Sequence, residues 1–349
     1  MISIAIPAFK AKFLADAIKS VLSQTYPDFE LIIINDASPD DIRAVVDQFK
    51  DDRIKYFQNE VNLGRTSVVK NWNKCLSLSA GELFVLFSDD DVYEPVFLEK
   101  MVYLATRYSG VNLFHCGVRI INEQGKHFRS IPVCPEFETG ISFVWHRLMR
   151  YREYFVPDFM CRTKALRTIG GFADLQQAWG TDDITWSILA SEGGVAYTPR
   201  VLLNWRKSET NISRIGSIAG KLQAICDCQQ MMAEILLNCV IESREDLDFA
   251  TEAKDELPRW IAARKCDQLL AGTRKGGFVS VMRASSRWLA YRRKYSLSFK
   301  IFLKALLEIL RDIVKMRSAQ SEERITSGPH SATAKRIQGN PEWRKGPAP

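Results

Sequence analysis

Three consecutive aspartates follow an apolar run that reads Leu83-Phe84-Val85-Leu86-Phe87-Ser88. Adjacent carboxylates repel one another, so a protein keeps Asp89, Asp90 and Asp91 together mainly where a cation compensates them. Carboxylate oxygens select Mg²⁺ or Mn²⁺, and such an ion can hold a diphosphate. The segment is therefore a candidate metal site, and the alternative is a solvated turn at a strand end.

These aspartates belong to a series in which short β-rich runs alternate with helical patterns. Such alternation predicts an α/β fold with a mostly parallel, Rossmann-like sheet, helices on both faces and ligands at the carboxyl ends of the strands. The predicted strands are 2–6, 30–35, 53–57 and 83–87, and the predicted helices are about 12–23, 40–49, 65–79 and 95–107. Polar or turn residues follow each strand, at 7–9, 35–36, 59–62 and 88–91, so the four ends are expected to face one cleft.

The chain beyond this series divides into three further segments. Residues 111–215 are expected to form a second half-domain against the first half at 1–110, with strands at 113–121, 127–131, 155–161 and 195–205 and helices near 140–150, 163–169 and 183–191. The pattern is then helical over 216–320, as a C-terminal extension. Residues 321–349 contain several Gly-Pro and Asn-Pro pairs, which predicts a disordered tail.

Charge is divided unevenly along the chain, whose formal net charge is +7. Residues 259–349 contain 20 Lys and Arg against six Asp and Glu, net +14, and residues 1–258 contain 28 against 35, net −7. The composition, 46% hydrophobic, is that of a globular protein, without a basic and apolar leader or an apolar run near about 18 residues. We therefore expect a cytoplasmic protein whose basic extension contacts an anionic partner.

Several other segments accompany the aspartates in a fixed order. Residues 4–10 read Ile-Ala-Ile-Pro-Ala-Phe-Lys, residues 17–26 read Ala-Ile-Lys-Ser-Val-Leu-Ser-Gln-Thr-Tyr, and residues 29–40 read Phe-Glu-Leu-Ile-Ile-Ile-Asn-Asp-Ala-Ser-Pro-Asp. Further segments follow: Asn62-Leu63-Gly64, Asn71, Ala80-Gly81-Glu82, Ile169-Gly170-Gly171-Phe172 and Thr181-Asp182-Asp183. Over about residues 2–215 this series resembles the family 2 glycosyltransferases of the GT-A fold.

The resemblance implies that the first half binds a nucleotide-sugar, with Pro7-Ala8-Phe9 beside the base. Phe9 would stack on the base, and Asp36 would accept the imide hydrogen of uracil or thymine, which implies a UDP- or dTDP-sugar. The alternatives are core packing for Phe9 and a helix N-cap for Asp36. Arg65 and Lys70 are candidates to contribute positive charge at the diphosphate, and the alternative is an ordinary solvated position on a helix.

The aspartate cluster resembles the family's D-x-D-D metal motif, with a departure. When Val92-Tyr93-Glu94-Pro95 is aligned with the family's I-L-x-P, Ser88 occupies the first Asp position, and Asp90 and Asp91 occupy the second and third. Asp90 is then the predicted direct ligand of Mn²⁺ or Mg²⁺, while Asp89 and Asp91 would ligate through water or contact the ribose. A divalent ion would stabilise the departing diphosphate as a Lewis acid.

Asp182 and Asp183 resemble the family's E-D pair before a helix. The resemblance gives Asp183 the role of general base, which takes the proton of the attacking hydroxyl while the anomeric centre is displaced from the opposite face. The alternative needs no chemistry, because acidic residues also stabilise the first turn of a helix. The segments Leu203-Asn204-Trp205-Arg206 and Asn211-Ile212-Ser213 are similar to a later family segment, which makes Arg206 and Ser213 candidates to close over the diphosphate.

Together these roles imply an enzyme, an inverting and metal-dependent glycosyltransferase that moves one sugar from a UDP- or dTDP-sugar to a hydroxyl of a glycan. The chain lacks the Q-x-x-R-W box of processive members. We expect a lipid-linked acceptor, as in the synthesis of cell-surface polysaccharide of the O-antigen or capsule type.

The sequence offers two alternatives to transfer. Ser88 and Lys10, which stands where the family has Asn, leave room for a non-catalytic GT-A module that binds nucleotide-sugar or glycan within an assembly complex, but Asp90, Asp91 and Asp183 oppose it. A nucleotidyltransferase is disfavoured because no G-x-G-T-R loop follows the first strand.

A basic amphipathic segment lies near the end of the chain. Between residues 297 and 317 apolar residues recur near helical spacing, with Lys300, Lys304, Arg311, Lys315 and Arg317 between them. This pattern predicts a helix on an anionic membrane surface, which would place the protein peripherally on the cytoplasmic face of the inner membrane. The alternative is a helix that packs its apolar stripe on the catalytic domain. Nucleic acid is not an expected partner, because no recognition motif accompanies the charge.

Overall fold

The computed structural model describes residues 1–65, 67–208, 216–272 and 277–326. The chain divides into two compact units, Met1–Lys265 and Cys266–Pro349. Residues 209–215, which include the candidate Ser213, and residues 327–349 of the predicted tail lie outside the described residues.

Four parallel strands form one side of the sheet in the first unit, in the order β3-β2-β1-β4. They are β1 (Ile2–Ala8), β2 (Phe29–Asn35), β3 (Ile54–Gln58) and β4 (Leu83–Leu86). The helices that follow them are α1 (Leu14–Leu22), α2 (Ile42–Val46), α3 (Val68–Leu78) and α4 (Phe97–Arg107). The predicted alternation of strands and helices is confirmed, with small shifts at the ends.

Strand β2 explains why this part of the chain is so apolar. Successive side chains of a strand point to opposite faces of the sheet. Leu31 and Ile33 join the core that contains α1, α2 and α4, whereas Ile32 and Ile34 join the core on the other face, with α3. Because helices cover both faces, every position from Leu31 to Ile34 must be apolar.

The second half of the first unit extends the same sheet to ten strands. The long strands β6 (Leu113–Ile121) and β10 (Val195–Arg206) are parallel, and β9 (Phe159–Arg162) lies antiparallel between β4 and β6. The shorter strands are β5 (Val92–Tyr93), β7 (His127–Ser130) and β8 (Phe137–Glu138). The helices are α5 (Gly140–Leu148), α6 (Thr163–Thr168) and α7 (Thr181–Gly193).

The strand predicted at 155–161 begins later than the sequence indicated. Residues Val156–Asp158 form a single 3-10 turn, and β9 starts at Phe159. Pro157 has no backbone N–H for a strand ladder, and the Asp158 carboxylate accepts the N–H of Phe155 at 3.0 Å. The turn therefore replaces the first half of the predicted strand.

Four helices complete the described chain: α8 (Ile218–Asn238), α9 (Arg244–Leu270), α10 (Gly277–Tyr291) and α11 (Phe299–Thr326). The division between the units, after Lys265, falls inside α9 and inside the predicted extension 216–320. Ala224, Ile225 and Cys228 of α8 lie in the core of the first unit. Helix α11 continues to Thr326, past the predicted start of the tail at 321. Among the described helices, none has the length and apolar content of a membrane span.

Candidate active site

The carboxyl ends of β1, β2 and β4 meet at one edge of the sheet. The Asp89 carboxylate accepts the backbone N–H groups of Phe9 at 2.9 Å and Lys10 at 2.8 Å, and the N–H of Asp36 donates to the Ala8 carbonyl at 3.0 Å. The structure therefore brings Pro7-Ala8-Phe9, Asp36 and the aspartate cluster together, as the parallel topology predicted.

Three of the candidate donor-binding side chains are accessible to solvent. Phe9 is 40% exposed, so the alternative of core packing is wrong for this ring. Arg65 and Lys70 are exposed as well. Stacking by Phe9 and diphosphate contacts by the two cations stay predictions.

Asp36 is buried and anchors the loop after β3. Its carboxylate accepts hydrogen bonds from the side-chain amide of Asn59 at 2.6 Å and from the backbone N–H groups of Leu63 and Gly64, both at 2.8 Å. A Cβ atom on Gly64 would lie 2.9 Å from Asp36 Oδ2, which explains the glycine in Asn62-Leu63-Gly64. The cap of α2 is Asp41, so the N-cap alternative for Asp36 is wrong. A contact of Asp36 with the imide of a base stays a prediction.

The aspartate cluster is buried and only partly compensated by the chain. Asp90 accepts a hydrogen bond from the Lys10 ammonium at 2.6 Å, and the same ammonium lies 3.3 Å from Asp89 Oδ1. Asp91 is fully buried; its Oδ1 accepts the N–H of Arg206 at 2.6 Å, and its Oδ2 has no hydrogen-bond partner. Burial raises the pKa of Asp91 well above its ordinary value, and the charge of Asp90 raises it further. This site favours an added positive charge.

The donor set of the cluster fits a divalent ion of the Mg²⁺ type. Such an ion uses one or two carboxylates together with substrate phosphates and water, rather than a cage made by the protein alone. Asp90 and the unpartnered Oδ2 of Asp91 supply two carboxylates of this kind. Within the described residues, no group of three or more His, Cys, Asp or Glu side chains is arranged to hold a metal. The Asp89 carboxylate already accepts backbone hydrogen bonds from the loop after β1, and the neighbouring Ser88 is half-buried.

Arg206 at the end of β10 supports the cluster from the other side. Besides its backbone bond to Asp91, its Nε donates to the Asp90 carbonyl at 2.7 Å, and its guanidinium lies 4.2 Å from the ring of Phe13. The residue is buried. Arg206 therefore fixes the backbone of the cluster, and its predicted contact with a diphosphate stays a prediction.

Asp183 lies in the first turn of α7 between two arginines. Arg147 Nε of α5 donates to Oδ1 at 2.5 Å, and Arg264 Nη1 of α9 donates to Oδ2 at 2.7 Å. Burial alone would raise the pKa of Asp183, but Arg147 and Arg264 lower it to about 2. The Asp183 carboxylate is therefore held ionised and in a fixed orientation.

Asp182 has a different environment from its neighbour. Burial and the charge of Asp183 raise the pKa of Asp182 to about 6, against a smaller opposing effect of Arg147. Gly180, at φ 92°, precedes the helix and lets the chain turn into it. The two adjacent carboxylates therefore differ in their affinity for a proton, and only Asp183 is paired with two arginines.

The segment around Asp158 contacts both segments that carry the carboxylate groups. It is almost fully buried, and burial raises its pKa well above the ordinary value. The charges of Asp182 and Asp91 raise the pKa of Asp158 further. The Tyr93 hydroxyl, two residues after Asp91, donates to the Pro157 carbonyl at 2.5 Å, and Phe159 stacks on Trp186 of α7 at 5.0 Å, so the segment around Asp158 joins the two groups.

Three basic residues of this site were not assigned to it from the sequence. Arg147 and Arg264 lie 36 and 81 residues from Asp183 along the chain, and no motif links them. In the sequence, Lys10 differs from the family only as a replacement of its Asn. Its position directly after Phe9 was the one available signal, because the loop after β1 adjoins the loop after β4 in this topology.

Comparison with other sequences agrees with this geometry. Residues 3–169 match the family model described as Glycosyl transferase family 2. EpsE of Bacillus subtilis, named as a glycosyltransferase, is 30% identical over 189 residues, which are 53% of this chain and 64% of EpsE. WcaA of Escherichia coli, named as a colanic acid biosynthesis glycosyl transferase, is 32% identical over 144 residues, 39% of this chain and 49% of WcaA. The chain thus matches less than two thirds of the length of either relative.

Solved structures with the same fold include two glycosyltransferases. TarS of S. aureus, as a 1–349 fragment in complex with UDP-GlcNAc, has a TM-score of 0.60 at 17% identity, over 87% of this chain and 90% of that chain. The mannosyltransferase PcManGT of Pyrobaculum calidifontis, in complex with GDP-Man and Mn²⁺, has a TM-score of 0.51 at 17% identity, over 89% and 87%. At these identities the likeness establishes the fold, which is GT-A. Residues 3–169, just under half of the chain, carry the match to family 2 glycosyltransferases that the motifs of this segment predicted.

Proposed function

We propose that this protein is an inverting, metal-dependent glycosyltransferase that transfers one sugar from a UDP- or dTDP-sugar to a hydroxyl of a glycan acceptor. The observation that carries the proposal is the pair of carboxylate groups on the two sides of the Pro157–Phe159 segment, which contacts Tyr93 after the aspartate cluster and Trp186 of α7. One group, Asp90 and Asp91, is suited to a cation at the strand ends, and the other provides an ionised carboxylate at Asp183. Inverting transfer needs these two functions in one site.

In the proposed mechanism, Asp183 accepts the proton of the acceptor hydroxyl. A carboxylate has about four lone-pair sites, so Asp183 can accept this hydrogen bond while both arginines remain bound. Its low pKa makes it a weak base toward a free hydroxyl, and the transfer is therefore expected late, when the oxygen has begun to bond to the anomeric carbon. Asp90 and Asp91 would hold the divalent ion, which neutralises the departing diphosphate.

The donor class is supported by the exposed ring of Phe9 beside Asp36. A uracil or thymine ring has an imide N–H that a carboxylate can accept, and cytosine lacks it at the corresponding nitrogen. TarS, which shares the fold, is known in complex with UDP-GlcNAc. We infer a lipid-linked glycan as acceptor, in agreement with the naming of WcaA for colanic acid biosynthesis.

Ligand binding and turnover can be tested separately. A thermal-shift screen of UDP- and dTDP-sugars with Mn²⁺ identifies the donor, because a ligand at a hundred times its Kd stabilises by about 2.7 kcal/mol. Asp183→Asn should keep the shift given by that donor and should lower kcat by about 10² to 10⁴. Asp182→Asn should lower kcat much less. Full turnover in Asp183→Asn would refute the assignment of the base.

We further propose that the second unit binds an anionic membrane surface, through α11. Successive residues of a helix are rotated by about 100° about its axis, and at this spacing the side chains of α11 form three bands along the helix. Ile301, Ala305 and Ile309 are buried, and Trp288 of α10 stacks on Phe302 at 4.8 Å, so one band of α11 packs within this unit. A second band is apolar and exposed: Phe299, Leu303, Leu307, Leu310 and Val314.

The third band of α11 is basic and lies directly beside the exposed apolar band. It consists of Lys300, Lys304, Arg311 and Lys315; the side chain of Arg317 is outside the described residues. An apolar band flanked by positive charge is typical of helices that lie in a membrane interface, where each basic residue contributes about 1 kcal/mol. This surface supports a peripheral location at the cytoplasmic face of the inner membrane.

Vesicle sedimentation tests this location on the full chain. The protein should sediment with vesicles of phosphatidylethanolamine and phosphatidylglycerol at low salt, and salt should release it. Leu307→Glu should abolish sedimentation, and the matched control is Leu247→Glu on α9, where the exposure is 55% against 57% for Leu307. Equal sedimentation of both variants, or none by the wild type, would refute the proposal.

A further inference from the structure

The loop after β1 carries a cation into the proposed metal site. The Lys10 ammonium donates to Asp90 Oδ2 at 2.6 Å and lies 3.3 Å from Asp89 Oδ1. Asp90 is the residue assigned as the direct metal ligand. The chain's own positive charge therefore occupies one of the two Asp90 oxygens that a divalent ion could contact.

The backbone keeps Lys10 at this position. Its N–H donates to Asp89 Oδ2 at 2.8 Å, and the neighbouring N–H of Phe9 donates to the same oxygen at 2.9 Å. The side chain of Lys10 is 27% exposed, against 11% for Asp90, so the ammonium can leave toward solvent while the carboxylate cannot. Lysine has a long, flexible stem, which permits such a movement without a change in the backbone.

Carboxylate oxygens of the cluster are left for a second cation. Asp91 Oδ2 is buried without a hydrogen-bond partner, whereas the Lys10 ammonium pairs with Asp89 and Asp90. A divalent ion between Asp90 and Asp91 would satisfy that oxygen, but it would have to displace the ammonium from Asp90 or remain close to its charge. Either event opposes metal binding.

We propose that Lys10 is an internal counter-ion that competes with the divalent metal for Asp90 and thereby sets a weak affinity for free metal. The inference rests on the proposed metal site at Asp90 and Asp91. It makes Lys10 a residue that determines metal affinity, and it gives a physical role to the replacement of the family's Asn. A donor diphosphate, which supplies new negative charge for the displaced ammonium, would then favour uptake of metal together with donor.

Binding of Mn²⁺ to the full chain without donor tests this inference. The electron paramagnetic resonance signal of free Mn²⁺ is lost on binding, so a titration gives the Kd without any substrate. Lys10→Asn should lower the Kd about tenfold or more, because it removes a unit charge from within about 4 Å of the ion. Lys10→Arg, which keeps the charge, should retain weak binding.

A matched control lies two residues away. Lys12 pairs with Glu123 at 2.6 Å and its side chain is 63% exposed, so Lys12→Asn removes the same charge and should leave the Kd unchanged. The double variant Lys10→Asn, Asp90→Asn should lose the gain in Mn²⁺ affinity, which would identify Asp90 as the carboxylate for which Lys10 and the metal compete. An equal or higher Kd for Lys10→Asn than for the wild type would overturn the role of Lys10 alone. Absence of Mn²⁺ binding in every variant would overturn the proposed metal site as well.

Discussion

Replacing Arg264 by Gln removes one of the two positive charges that hold Asp183. The change keeps an N–H donor near Asp183 Oδ2 and leaves Arg147 in place at Oδ1. The pKa of Asp183, about 2, lies below the ordinary value of 3.8 although burial opposes this. That difference corresponds to about 2 kcal/mol in favour of the ionised carboxylate. Arg264→Gln should therefore make protonation of Asp183 easier.

The expected size of the change follows from the charge that is lost. An opposite charge at hydrogen-bond distance lowers the pKa of a carboxyl by about one to three units, so the variant should have its Asp183 pKa between about 3 and 5. Other charges at this site are those of Asp182 and Arg147, and both remain. Because the base must be ionised to act, activity of the variant should fall with decreasing pH well before that of the wild type.

The assay is the pH dependence of kcat/KM for UDP release from the donor that the thermal-shift screen identifies. The ratio of Arg264→Gln to wild type should decrease as the pH is lowered from about 7.5 to about 4.5. Arg259→Gln is the matched control, because Arg259 lies on the same helix, is 79% exposed and pairs with Glu256 at 3.3 Å. A ratio that does not change with pH would refute the reasoning, since a purely structural role of Arg264 lowers activity equally at every pH.

Three further predictions concern the remaining carboxylates. Asp90→Asn, or chelation of the wild type with EDTA, should abolish transfer without unfolding the protein, and turnover unaffected by EDTA would contradict the metal assignment. Asp182→Asn should raise Tm at about pH 7.5, because the pKa of Asp182 is raised to about 6 in the folded protein and its ionised form therefore lowers the stability of the fold. The gain in Tm should disappear as the pH falls from about 6 to about 4, where the carboxyl becomes protonated, and thermal melts at several pH values check this. Gly64→Ala should weaken donor binding in the thermal-shift assay, because its Cβ would lie 2.9 Å from Asp36 Oδ2, whereas Gly110→Ala, where a Cβ meets no atom within 4 Å, should not.

The elements of the sheet were predictable because their sequence pattern has one physical cause. A run such as Leu31–Ile34 is apolar at every position only when both faces of a strand are covered. In a parallel sheet the carboxyl ends of neighbouring strands lie at the same edge. For this reason the sequence alone could place Phe9, Asp36 and the aspartates at one edge. The 3-10 turn at Val156–Asp158 escaped prediction, since its apolar neighbours resemble a strand and only Pro157 indicates otherwise.

The contacts of the charged residues could not be predicted from the sequence. Arg147, Arg264 and Lys10 are long side chains whose partners depend on how helices and loops pack, and a basic residue on a helix is usually solvated. These contacts decide the pKa values: the same residue type has a pKa of about 6 at position 182 and about 2 at position 183, where Arg147 and Arg264 bind the carboxylate, although the two residues are adjacent. Only the fold determines which carboxylate meets the arginines.

The place of Arg264 on α9 has a consequence for exchanging parts between related enzymes. The motif series ends near residue 215. A chimera joined there would keep Asp183 and Arg147 from this protein, but the residue that contacts Asp183 Oδ2, here Arg264, would come from the other parent. Arg264 lies just before the end of the first unit at Lys265. The smallest portion of this protein that can be transplanted with its base intact therefore runs through Lys265, some fifty residues beyond the recognisable motifs, and α9 is the helix at which a graft must be designed.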